Sequence, residues 1–322
     1  VTSPFRRTLR CLAALAPVLA LACERPAGSA AAPGRRVVVS PPPANANDTR
    51  WDAVRRAFSL HGKYEDGYFR VDLPRSDLAV KIGADALEPD FEFVSHFGFA
   101  PAAGGGLMAM GEVVMRQEEV AAALAEARAQ GVTVSAVHNH LLGEEPRIVY
   151  MHLVADGPAD SVARRLRAVL SRTGTPPPDE TPEPPTADWK AVDAVLGAPE
   201  EAEGKVAEYV SPRKDAHAVH GVAVKSTGMM ETASEVVFQE LGGGRVANTG
   251  EMYVTPDEVQ PVLSALESHG LHVTAVHNHT LDESPRMYWV HWYATGDGAT
   301  LARGVAAPIR QTDSETKSSA AR

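Results

Sequence analysis

Short apolar runs bounded by turn residues alternate along this chain with stretches of helical character. Helices are predicted over residues 51–60 and 189–196. Strands are predicted over 68–73 and, with a weaker pattern, 208–211. Apolar strand candidates flank a glycine-rich turn at 91–99 and 107–115, and again at 235–240 and 246–254. A helix follows each pair. In the second half its start is well marked, with Thr255 as N-cap, Pro256 at the first position and Glu258 closing a capping box. In the first half Arg116 stands where Thr255 would, yet 119–129 is still helical in pattern. Two further strands joined by a turn, then helices over 159–171 and 298–307, complete each half. The order predicts an α+β fold: two homologous repeats, each an antiparallel or mixed sheet packed with helices.

The halves repeat each other at one offset. Ala136-Val137-His138-Asn139-His140 returns as Ala275-Val276-His277-Asn278-His279. Gly111-Glu112 returns as Gly250-Glu251, Pro146-Arg147 as Pro285-Arg286, and His152 as His291, always 139 residues on. A fixed spacing across so many polar positions marks a tandem duplication. The expected organisation is a signal peptide at 1–22, a lipidated cysteine and tether at 23–48, and repeat one at 49–172. A proline-rich linker at 173–186, repeat two at 187–310 and a disordered tail at 311–322 follow.

Composition narrows the function. The net charge is −10. An acidic chain is a poor partner for nucleic acid, which needs a cationic surface. Arg6, Arg7 and Arg10 precede a short apolar run ending Leu19-Ala20-Leu21-Ala22-Cys23, the layout of an export signal with a lipoprotein box. The expected location is therefore exported, in the cell envelope and facing the periplasm, with the membrane as partner through a lipid on Cys23. Ordinary cleavage after Ala22 would instead give a secreted or soluble periplasmic protein. Only Cys11 and Cys23 are present, so a chain processed before Cys23 forms no internal disulfide.

The candidate chemistry is imidazole. Side chains alternate along a strand, so His138 and His140 share one face, and His152 returns on the next strand. A symmetric turn would set His138 opposite His152 and His140 opposite Tyr150; His277, His279, His291 and Trp289 repeat the pattern. Three histidines and a carboxylate suit a divalent transition metal (Zn, Cu, Ni or Fe). Glu112 and Glu251 are the candidate fourth ligands or general bases. With a water on the metal, the chain would be a metal-dependent hydrolase or lyase. Without catalysis, it would be an envelope module that binds a small-molecule ligand or partner. Half-buried histidines serving only as hydrogen-bonded core residues are a further reading.

Arg75, Arg213, Arg147 and Arg286 are possible anion or substrate contacts. An Arg–Asp pair fixing a turn competes with that reading at Arg75-x-Asp77 and Arg213-x-Asp215. Gly104 to Gly106 lacks the Lys-Ser/Thr of a phosphate loop and reads as a hairpin turn. His-Asn-His is too compact for an HNH nuclease, and the helices expected between Gly-Glu and His-Asn-His do not suit a cupin barrel.

Taken together, Pro-Arg-x-Asp, Gly-Glu, the Glu-Val helix, Val-Thr-Ala-Val-His-Asn-His, Pro-Arg and the strand histidine resemble the LppY/LpqO family of putative bacterial lipoproteins. The resemblance covers both repeats. It implies an exported, lipid-anchored protein with a duplicated domain of unknown function, and it supplies no activity.

Overall fold

A computed structural model describes residues 45–177 and 179–315. The signal, Cys23 and nearly all of the tether lie outside the described residues. Each repeat forms one six-stranded sheet, antiparallel throughout. In repeat one the strands lie in the order Lys63–Glu65, Tyr68–Pro74, Val94–Pro101, Leu107–Arg116, Ile148–Gly157, Thr133–His138. In repeat two the order is Glu201–Glu203, Val206–Pro212, Ala233–Gly242, Arg245–Val254, Tyr288–Gly296, His272–His277. The two sheets are the same design, as the duplication requires.

Helices cover one face of each sheet. Helix Ala159–Leu170 buries Val162, Ala163, Leu166, Val169 and Leu170, a stripe at helical spacing. Helix Gly298–Ile309 buries Leu301, Ala302, Val305 and Ile309 at matched positions. These stripes join the inward strand residues in two separate cores, one per repeat. Each large side chain so buried stabilises by about 1.5–3 kcal/mol.

The other faces of the sheets meet each other. Two apolar clusters hold them together: Phe91, Phe93 and Tyr150 with Val206 and Val237, and Met108, Met110 and Val154 with Val222, Val224 and Met230. The polar centre lies between these flanks.

Three local details differ from the sequence expectation or extend it. The strand expected from Phe91 begins at Val94, because Pro89 starts a helical turn, Pro89–Glu92. Arg116 is no N-cap of the Thr255 kind, yet Glu119 still accepts from Arg116 N at 2.8 Å, as Glu258 does from Thr255 N at 2.8 Å. From Gln311 the chain does not simply fray. Lys214 N donates to Asp313 O and Glu315 N to Pro212 O; residues 316–322 lie outside the described part.

Glycine has a clear steric role at two places. A Cβ on Gly111 would stand 2.1 Å from His96 O, and one on Gly250 would stand 2.1 Å from Glu235 O. The Gly before each glutamate therefore permits close strand approach beside the site. Gly98 does the same between repeats: its Cβ would meet Met229 O at 2.2 Å.

Candidate metal centre

Register builds the site. Paired residues on neighbouring antiparallel strands share a face. Across sheet one the row runs Asp72, His96, Glu112, His152, Ala136. Across sheet two it runs Val210, Glu235, Glu251, His291, Ala275. Both rows face the opposite repeat, so Glu112 and His152 meet Glu251 and His291 at the centre of the molecule.

The hairpin register differs from the symmetric-turn expectation. His138 pairs with Tyr150 and His277 with Trp289, while His152 and His291 pair with Ala136 and Ala275. The cause is a longer connection. Strand Thr133–His138 ends at the first histidine, and Glu144–Glu145 forms its own short strand against Val80–Ile82. His140 therefore sits just beyond the strand. The rings still converge, with His138 5.0 Å from both His140 and His152 between centroids.

All six rings form one cluster across the repeats. His138 stacks on His277 at 3.5 Å, His140 on His291 at 3.9 Å, and His152 on His279 at 3.7 Å. Tyr150 backs His140 at 3.6 Å and Trp289 backs His279 at 3.7 Å, so these aromatics brace the rings. The connecting loops lock together. Thr274 Oγ1 donates to His140 O, and Ser135 Oγ donates to His279 O in the mirror position.

Four carboxylates complete the set, two on each nitrogen edge. Glu112 Oε2 lies 3.4 Å from Nε2 of both His140 and His152. Glu251 Oε2 lies 3.4 Å from His279 Nε2 and 3.7 Å from His291 Nε2. On the other edge, Glu92 Oε1 is 3.4 Å from His140 Nδ1 and 3.6 Å from His291 Nδ1. Glu231 Oε2 is 3.1 Å from His279 Nδ1 and 3.7 Å from His152 Nδ1. Glu92 and Glu231 each bridge the repeats: Glu92 touches His140 of its own and His291 of the other, and Glu231 touches His279 of its own and both His152 and His96 of the other. His138 Nδ1 and His277 Nδ1 face the backbone carbonyls of Asn139 and Asn278, which leaves their buried Nε2 atoms without a hydrogen-bond partner.

The profile of the family described as Domain of Unknown Function (DUF1259) matches residues 52–172 and 190–311. The chain belongs to the DUF1259 family. No curated protein matches it. Among solved structures it resembles a trimeric bacterial microcompartment shell protein, PduB, at 12% identity over 80% of this chain and 96% of that one. The TM-score of 0.21 carries no argument about fold or function.

The two DUF1259 repeats thus assemble groups of imidazoles and carboxylates that could hold a metal ion. Burial keeps most rings neutral. His138 and His277 are driven far below the ordinary imidazole value by burial and by neighbouring imidazoles. His279 and His291 are lowered to about 4, chiefly by burial. His140 goes the other way: burial opposes its charge, but Glu112 and Glu92 outweigh that and raise it to about 9. Glu92 is lowered to about 2, its burial outweighed by His140 and His291. Glu251 is raised well above the carboxylate range by burial and by the surrounding carboxylates.

Sequence reasoning missed Glu92, Glu231 and His96 in the DUF1259 centre. A signal existed, since Glu92 and Glu231 obey the 139-residue offset. His96 breaks the symmetry: it pairs closely with Glu231, whereas its counterpart in repeat two is Glu235. The arginines fall elsewhere. Arg75 is fully buried, with Asp77, Glu119 and the Val114 carbonyl around its guanidinium. Arg213 is bound in the same way by Asp215, Glu258 and the Tyr253 carbonyl. Both join the end of a strand to the start of a helix, with their guanidinium N–H groups directed at these carboxylates and carbonyls. Arg286 folds back onto Thr280 O, Leu281 O and Glu283, and Arg147 is exposed. Neither lines the central cavity.

Proposed function

We propose that this protein binds two divalent transition-metal ions, one per repeat. The ligands are Nε2 of His138, His140 and His152 with Glu112, and Nε2 of His277, His279 and His291 with Glu251. Spacing carries the reading. Ligand atoms about 2.0–2.2 Å from a tetrahedral ion lie about 3.3–3.6 Å from one another. Glu112 stands at 3.4 Å from two Nε2 atoms, and Glu251 at 3.4 and 3.7 Å. The opposite nitrogen edges support the same assignment. A histidine that ligates through one nitrogen commonly gives its other N–H to a carboxylate or carbonyl. Glu92, Glu231, Asn139 O and Asn278 O occupy those places. Zn, Cu, Ni and Fe all accept such a donor set.

Glu112, Glu251, His140, His279 and His291 line the bottom of a cavity of about 790 Å³. An ion held there by the three histidines alone would keep its fourth position for an activated water, with Glu112 or Glu251 released from the ion to act as general base. This favours a metal-dependent hydrolase or lyase over a purely passive binding module. The LppY/LpqO resemblance and the residues around Cys23 support placement at the envelope on a lipid anchor.

Elemental analysis of the purified protein tests the proposal. Two equivalents of metal are expected in the wild type and a clear loss in the His138→Ala, His277→Ala double variant. Unchanged stoichiometry in that variant would sink the assignment.

A further inference from the structure

The cavity above the histidines has a strongly one-sided wall. Among the described residues it is lined by fifteen Asp and Glu but only three Lys and Arg. Each of the three is already engaged. Lys63 Nζ lies 2.5 Å from Glu201 and 3.6 Å from Asp72. Arg70 Nε lies 2.7 Å from Asp72 and donates through its terminal nitrogen to Gly228 O. Lys225 Nζ lies 3.4 Å from Asp66. No guanidinium or ammonium on this wall remains for an anionic ligand, while the carboxylates are in large excess. Two divalent ions at the floor would leave that excess in place.

Independent of the charge balance, the cavity presents a buried polar atom that lacks a partner. Glu235 Oε1 lines it without a hydrogen-bond partner. Along the wall, Glu208 pairs with Glu201 on the neighbouring strand and Glu203 lies two residues beyond Glu201; burial raises Glu208, outweighing Arg70, and burial with Glu201 raises Glu203. Carboxylates gathered on one wall repel each other, and a cation placed among them relieves that repulsion.

We infer that the cavity takes a small organic cation, a molecule carrying at least one protonated amine, with the amine against the Glu208 and Glu203 wall and the rest of the molecule extending toward the floor. The volume fits a compact ligand within the usual range of small-molecule sites. The inference relies on the metal reading only for what lies at the floor.

A matched pair of probes tests it. The full chain, with and without zinc, is titrated calorimetrically at low ionic strength with 1,4-diaminobutane and with succinate, which have the same chain length and opposite charge. The expected result is saturable binding of the diamine, weakened by salt, and none of succinate. Glu203→Gln with Glu208→Gln should weaken the diamine about tenfold, at about 0.7 kcal/mol per half-buried contact, while zinc stoichiometry by elemental analysis stays as in the wild type. Succinate binding as tightly as the diamine overturns the inference. So does diamine binding that appears only with zinc and ignores the double variant, since the amine is then on the metal. Absence of diamine binding in a protein that loads zinc also overturns it and leaves the acidic wall serving the metal ions alone. A protein that loads no zinc but still selects the diamine would refute the metal proposal and not this one.

Discussion

Replacing Glu92 by alanine removes one carboxylate from two histidines that belong to different repeats. Its Oε1 stands 3.4 Å from His140 Nδ1 and 3.6 Å from His291 Nδ1. If the metals sit on the Nε2 edges, Glu92 orients both rings and raises the basicity of both ligands. Loss of such an outer partner costs about 10–100-fold in metal affinity, or about 1.4–2.8 kcal/mol. Here the loss should fall on both ions, because each centre contributes one of the two rings. Competition titration of zinc against a chromophoric chelator reads this directly. Glu92→Ala should keep two sites, both weaker, and Glu92→Gln should recover part of the affinity, since its carbonyl still accepts an N–H. Glu112→Ala should instead abolish the repeat-one site. Two outcomes refute the reasoning: only one ion weakened in Glu92→Ala, or Glu92→Ala abolishing metal while Glu112→Ala leaves it intact. The second would put the ions on the Nδ1 edges.

Gly98→Ala should push the Gly228–Met230 turn off sheet one, because the added carbon would lie 2.2 Å from Met229 O. A destabilisation of about 1–3 kcal/mol in chemical denaturation is expected, together with weaker zinc binding through displaced Glu231; wild-type values for both would show that the contact relaxes without cost. Arg75→Gln removes the partner of the buried Glu119 and of the exposed Asp77, and the unpaired Glu119 should cost about 3–5 kcal/mol. That contribution depends on pH. Asp77 is lowered by its hydrogen bonds to Arg75, and Glu119 is lowered because Arg75 and backbone N–H groups outweigh its burial. Lowered carboxylates stabilise fully above their unfolded values of about 4 and lose that stability as pH falls through their folded values. The acid limb of an unfolding-against-pH curve should therefore flatten in Arg75→Gln, and an unaltered slope would contradict the pairing.

Much of this was legible in the sequence because duplication repeats its signals. The period of apolar residues located the helices and most strands, and the recurrence of His138, His140, His152 and Glu112 at one offset pointed to the residues that converge. The register of the hairpin was not legible. It depends on a two-residue strand, Glu144–Glu145, whose pairing with Val80–Ile82 is a long-range contact with no local pattern. Glu92 and Glu231 were hidden for a related reason. They reach the site by crossing to the other repeat, and nothing near either residue in sequence announces that crossing. Arg75 and Arg213 carry the converse lesson, since a buried arginine that caps a strand end and a helix start has the same spelling as an anion clamp.

The exchange of glutamates between halves bears on how such a molecule diverges. In a pair of identical subunits, position 96 and its counterpart would have to be the same amino acid on both walls. One continuous chain lifts that restriction, and the site has His96 facing Glu231 on one side and Glu235 on the other. An asymmetric ligand can then be gripped in a single orientation by a scaffold whose backbone is still nearly twofold.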